Sequence, residues 1–133
     1  MYRYSNSASV SEAVADLVLV RPQAVTSSDF VAYVGPDYIH DSTIVSIERT
    51  YGVVTVHLRA LDGREFSLEF LGVDSVSSEQ PENMFLYALT EMRHPLPLRR
   101  FAFANSDDDS SAFLEIVAED FTVSPPSATT QVV

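Results

Sequence analysis

Val53-Val54-Thr55-Val56-His57-Leu58-Arg59-Ala60-Leu61-Asp62-Gly63-Arg64-Glu65-Phe66-Ser67-Leu68-Glu69-Phe70 is the stretch whose reading decides the fold. Val54, Val56, Leu58 and Ala60 alternate with Thr55, His57 and Arg59, and Phe66, Leu68 and Phe70 alternate with Glu65, Ser67 and Glu69. A period of two marks strands with one dry and one wet face. The intervening Leu61-Asp62-Gly63 is turn chemistry. Polarity sets the register. An Asp-Gly turn alone would oppose Leu58 to Ser67 and mix the faces. A loop one residue longer opposes Leu58 to Phe66, Val56 to Leu68 and Val54 to Phe70, keeping one face apolar. That loop is a type I turn followed by a left-handed residue, which Gly63 supplies. Arg59 then faces Glu65 on the wet side, a pair worth about 0.2–1 kcal/mol.

Toward the N-terminus, residues 43–49 form a strand that returns through Thr50-Tyr51-Gly52. Its phase is open, since either Ile44 or the pair Val45 and Ile47 can face inward. Residues 8–36 read as helical. Ser9 and Glu12 fit a capping box, and Val10, Ala13, Val14, Leu17 and Val18 make one stripe that Arg21 and Pro22 end. A short strand over residues 16–20 competes there. Thr26, Ser27 and Ser28 offer a second N-cap, with Phe30, Val31 and Val34 as the apolar face and Gly35-Pro36 as the stop.

Toward the C-terminus, residues 77–83 are a polar connection containing Pro81. Residues 84–92 fit a strand, with Leu86 and Ala88 opposite Phe85, Tyr87 and Leu89, or a helix grouping Met84, Tyr87, Ala88 and Met92. Their strand-rich surroundings favour the strand. His94-Pro95-Leu96-Pro97 is a break. Residues 100–104 are a strand with Phe101 and Phe103 inward, and residues 105–111 a polar loop. Residues 112–123 are a last strand with Leu114, Ile116 and Ala118 inward. Its phase shifts near Asp120 to Phe121 and Val123, as a bulge would shift it. The expectation is one α+β domain over residues 1–123, with one or two N-terminal helices covering the Val54/Val56/Phe66/Leu68 face of a mostly antiparallel meander of five or six strands. Residues 124–133, patternless and holding two prolines, are expected to be a disordered tail.

Composition narrows the function. The chain has 133 residues, 46% of them hydrophobic, which suits one core. No apolar run approaches a membrane span and the N-terminus has no secretory pattern, so a cytoplasmic location is expected. Without cysteine there is no disulfide, zinc-thiolate site or cysteine nucleophile. Lysine is also absent, which removes Schiff-base and Walker-type chemistry. A net charge of −11 disfavours nucleic acid and anionic membranes and favours a basic protein partner, although it also serves solubility.

Candidate chemistry is sparse. His40-Asp41 suits a base oriented by a carboxylate or half a metal site; its plainer reading is a turn cap beside a surface histidine. His57 sits mid-strand and His94 precedes a proline, so the histidines show no ligand spacing and no metal is expected. Asp107, Asp108 and Asp109 invite a calcium reading, but the alternating ligands, central glycine and distal glutamate of a calcium loop are missing. A solvated hairpin tip accounts for them. Glu65, Glu69, Glu115 and Glu119 lie where a wet sheet face puts its charges, and Arg99-Arg100 reads as an edge-strand guard. No phosphate loop or nucleophile elbow is present, and no cofactor is expected. The residues lean away from an enzyme. Candidate binding residues are His40, Asp41, His57, Asp107, Asp108 and Asp109.

His40-Asp41-Ser42, Asp62-Gly63-Arg64, Phe66-Ser67-Leu68-Glu69-Phe70 and Leu114-Glu115-Ile116-Val117-Ala118-Glu119-Asp120-Phe121 together resemble small, uncharacterised bacterial proteins of strand-rich α+β type, some similar to immunity proteins of toxin systems. The resemblance spans roughly 85 residues, offers no catalytic residue, and implies binding rather than catalysis. The expected function is therefore a non-enzymatic protein-binding module with an acidic surface for a basic partner. The alternatives are a small-molecule or enzymatic site using His40 and Asp41 in a pocket, and a self-associating subunit joined through sheet edges or through Phe85, Tyr87 and Leu89.

Overall fold

The computed structural model describes residues 23–107 and 109–125. The expected capping-box helix at Ser9, residues 126–133 of the expected tail, and Asp108 lie outside the described residues. The order of elements is α1 (Gln23–Thr26), β1 (Phe30–Val34), a 3-10 turn (Asp37–Ile39), β2 (Thr43–Thr50), β3 (Val53–Arg59), β4 (Glu65–Leu71), β5 (Ser75–Glu79), β6 (Leu86–Met92), β7 (Arg99–Asn105), β8 (Phe113–Ala118) and β9 (Asp120–Ser124). The strands form two antiparallel sheets, ordered β1-β6-β7-β8-β5 and β2-β3-β4-β9.

This overturns the α+β expectation: among the described residues the fold is nearly all sheet, and its one α-helix is a single turn. The second helix expected after residue 26 is instead strand β1. Phe30-Val31-Ala32-Tyr33-Val34 is aromatic and β-branched, which favours extended backbone. Its burial alternates, and it pairs with β6. Thr26 Oγ1 closes the short helix by donating to Gln23 O at 3.1 Å, and Ser27 Oγ accepts the Asp29 N–H at 3.0 Å as the chain turns into β1. Among the described residues no helix covers the Val54/Val56/Phe66/Leu68 face. The second sheet does, through Leu86, Leu89, Phe101, Phe103, Leu114 and Ile116. Two apolar faces bury one another in sandwich fashion.

The central hairpin has the expected register, with Val54 opposite Phe70, Val56 opposite Leu68 and Leu58 opposite Phe66. Gly63 has φ 91°, and its N–H donates to Ala60 O at 2.9 Å. Arg59 Nη2 lies 3.4 Å from Glu65 Oε2. The Asp62 side chain accepts the Arg64 N–H at 3.0 Å, and that bond holds its carboxyl below the ordinary carboxylate value. A Cβ at Gly63 would meet nothing within 4 Å, so Gly63→Ala tests backbone conformation alone. It should lower the unfolding free energy by about 1–2 kcal/mol in a denaturant titration, the cost of a left-handed alanine. An unchanged midpoint would mean the loop does not need glycine.

Two bulges settle what alternation left open. In β2 the ladder steps from Ile44 opposite Leu58 to Ser46 opposite His57, so Val45 is the extra residue. Ile44 and Ile47 therefore both face the core. In β6 the ladder steps from Leu86 opposite Asn105 to Ala88 opposite Ala104. The strand reading of this segment holds, but Leu86 and Leu89, not Leu86 and Ala88, share the inner face. On the outer face of β6 and β7, Thr90 is buried beside α1 and donates to Ala102 O at 2.8 Å.

The sheets join at two corners. Residues 112–123 are not one bulged strand: β8 ends at Ala118, Glu119 crosses over, and β9 begins in the other sheet. The phase shift near Asp120 is that change of sheet. The Glu119 N–H donates to Leu71 O at 2.9 Å, opposite Gly72, where any Cβ would collide with the Glu119 side chain. At the other corner β2 pairs with the chain entering β6. Leu86 N–H donates to Ser42 O at 2.8 Å, Ile44 N–H to Met84 O at 3.0 Å, and Asn83 N–H to Ile44 O at 2.7 Å. The two sheets thus meet at two corners: β8 runs on into β9 at one, and β2 bonds to the chain entering β6 at the other. The polar connection expected over residues 77–83 is half strand, since β5 pairs along β8 and only residues 80–83 remain a link.

Candidate functional site

The residues singled out by type do not converge. His40 follows the 3-10 turn; its Nδ1 lies 2.7 Å from Tyr87 O and its Nε2 3.6 Å from Asp41 Oδ1. The His40 side chain is 56% exposed, and Asp41 has a left-handed φ of 67°. His57 projects from the wet face of β3, with Nε2 3.3 Å from Glu48 Oε1. Asp107 and Asp109 share one loop, where Asp107 Oδ1 accepts the Asp109 N–H at 3.0 Å. His40 pairs with Asp41 and Asp107 bonds to Asp109, but among the described residues no hydrogen bond or ion pair links the His40 pair, His57 and the aspartate loop to one another. Among the described residues no group of three or more His, Asp or Glu is placed to hold a metal ion.

What the fold does create is a cleft of about 760 Å³ where β2 diverges from β5. Ile47 and Arg49 come from β2, Val76 and Ser78 from β5, and the 80–85 and 105–112 segments close its ends. Met84 and Leu114 are buried and Ile47 and Val76 half-buried, so its base is apolar. Its rim is polar, with Glu82, Asp107, Gln80 and Asn83 exposed. Gln80 and Asn83 adopt positive φ values of 45° and 72°, conformations that cost a non-glycine residue on the order of 1 kcal/mol. Backbone bonds from Asn83 N–H to Ile44 O and from Met84 N–H to Pro81 O hold that wall.

Charge is distributed unevenly. Several acids away from the cleft lie against arginines, whereas Asp37, Glu69 and Glu119 make no ion pair among the described residues. Arg99 grips Glu91 at 2.7 Å and Asp120 at 2.8 Å, Arg100 reaches Glu115 at 3.0 Å and Asp29 at 3.4 Å, and Arg64 holds Asp62 at 2.8 Å. Hydrogen bonding to Glu91 raises the Arg99 guanidinium further above its ordinary value. Asp74 and Glu79 at the ends of β5, with Glu82, Asp107 and Asp109, are exposed and make no ion pair among the described residues. Arg49 is the cleft's cation and is equally unpaired. Asp107 and Asp109 thus belong to the neighbourhood of the cleft, whereas His40, Asp41 and His57 do not line it. Sequence reasoning missed Arg49, Ile47, Val76 and Glu82. A cleft between two strand edges has no local motif, and the run Glu79-Gln80-Pro81-Glu82-Asn83 was its one visible trace.

Compared with protein families, characterised proteins and solved structures, the chain matches none.

Proposed function

We propose that the chain is a non-enzymatic binding module whose cleft takes a cationic segment of a protein partner. The observation that supports this reading is the pairing of an apolar base with a rim of acids that have no arginine of their own. Apolar side chains gain by leaving water for the base, while Glu82 and Asp107 steer and orient the cations beside them. An immunity-type role, in which an acidic module engages a basic toxin, is the biological form suggested by the sequence resemblance. The small-molecule alternative needs His40 and Asp41 in a pocket, and neither residue lines the cleft. Self-association through Phe85, Tyr87 and Leu89 has less to support it, since Leu89 is wholly buried. Among the described residues no helix is long and apolar enough to cross a membrane.

The test uses a fluorescently labelled hexapeptide of alternating arginine and valine. Polarisation should show saturable binding that weakens as salt is added. The double variant Glu82→Lys/Asp107→Lys should lose at least tenfold in affinity. Arg49→Gln should tighten binding by about threefold, the scale of one exposed charge contact. Absence of binding, or binding indifferent to reversal at Glu82 and Asp107, would sink the proposal.

A further inference from the structure

Every sheet edge that faces water exposes unpaired N–H and C=O groups, and proteins usually blunt such edges. Three of the four edges here show a device of that kind. β1 carries an irregularity between Phe30 and Ala32, β2 bulges after Ile44, and β9 runs directly into Pro125. β5 is different. Ser75-Val76-Ser77-Ser78-Glu79 has no proline, no basic residue and no break in its ladder with β8. Its residues are exposed except for Val76, which turns toward the cleft. Among the described residues this regular edge is unpaired, and it borders a group of acids, Asp74, Glu79, Glu82, Asp107 and Asp109, that make no ion pair there.

Charge also decides what can use that edge. Asp74 and Glu79 stand at its two ends, and Glu82 and Asp107 across the cleft. A second copy of this chain, itself of net charge −11, would bring acid against acid. An extended basic segment meets complementary charge instead. We propose that β5 is an acceptor edge, to which an extended, arginine- or lysine-rich segment of a partner protein adds as a sixth strand of the β1-β6-β7-β8-β5 sheet. This rests on the cationic-segment reading above and gives it a mode of recognition. Backbone hydrogen bonds along β5 supply affinity that does not depend on sequence, and alternate side chains supply selectivity. Those on one face fall beside Val76 over the apolar base, and the cations sit beside Glu79, Glu82 and Asp107.

The experiment compares the arginine-valine hexapeptide with two N-methylated isomers, methylated on the odd or on the even backbone nitrogens. Both isomers keep every charge and side chain, but each loses the donors along one edge. Only one set of nitrogens can face β5, so one isomer should bind at least tenfold more weakly and the other like the parent. The parent should also slow amide exchange within Ser75–Glu79. If both isomers bind as tightly as the parent and exchange there is unchanged, strand addition is wrong while the cationic-segment reading survives. If no peptide binds, both fall.

Discussion

Phe70→Ala should remove about 3–5 kcal/mol of stability, the usual cost of deleting a buried aromatic ring. Phe70 has no exposed surface and lies where the two sheets and the last strand meet. Its ring centroid is 5.4 Å from that of Phe101, 5.9 Å from Phe103 and 5.5 Å from Phe121. Phe101 and Phe103 belong to the facing sheet and Phe121 to β9, so one deletion opens contacts on several strands. A domain of this size has only about 5–15 kcal/mol in hand, so the variant should melt far below the parent or fail to fold at ordinary temperature. Phe113→Ala is the control: that ring is 42% exposed, and its loss should cost about 1 kcal/mol or less. Equal denaturant midpoints for the two variants would show that Phe70 is not at the centre of the core.

The second large effect tests the bulge in β2. Ile44→Ala should cost about 2–5 kcal/mol, whereas Val45→Ala, on the residue the ladder skips, should cost about 1 kcal/mol or less. Ile44 is wholly buried, packs in the core and is tied to Met84 and Asn83 by backbone bonds at the corner. Ile47 is only half-buried, and Ile47→Ala should fall between the two. Chemical denaturation of the three variants orders them. The reverse order, with Val45 the most costly, would place the chain in the opposite phase and undo the cleft, since Ile47 and Arg49 would no longer line it.

How far the fold could be read from residues depended on distance along the chain. The β3–β4 hairpin was legible to the individual pair, because alternation, turn and polarity all lie within eighteen residues and agree. β1 was misread because Phe30 and Val34 are spaced for one helical turn, and five residues cannot separate the two periods. β5 was half lost in a supposed connection because Ser-Val-Ser-Ser-Glu is too polar to look like a strand; it is an edge, with little to bury. The shift at Asp120 was visible, but its cause was not. A bulge and a change of sheet leave the same local mark, and only the partners of β9 distinguish them. The packing of sheet on sheet has no local trace at all, so the hydrophobic face was assigned to helices.

The candidate site was less legible than the fold. Residues chosen for their chemistry, His40, Asp41 and His57, proved to be separate surface features. The cleft draws on serine, valine, isoleucine, amides and one arginine, none of which draws notice singly. Its acids were half seen, in Asp107 and Asp109, but as a loop tip rather than as the border of a concavity. Neutralisation was legible only at Arg59, whose partner Glu65 follows from the hairpin register; which acids Arg99 and Arg100 reach across strands left no mark in the sequence.

The crossing at Glu119 makes the domain vulnerable to shortening. The five residues of β9 follow it directly, and they cap β4 and bring Phe121 and Val123 onto the core. A chain clipped or halted before Asp120 would keep most of its strands but leave Leu68 and Phe70 beside a bare, greasy margin. Such a margin recruits other chains into aggregates. Intact molecules share a strong negative charge that keeps them apart, so loss of the chain from Asp120 onward should raise the tendency to aggregate.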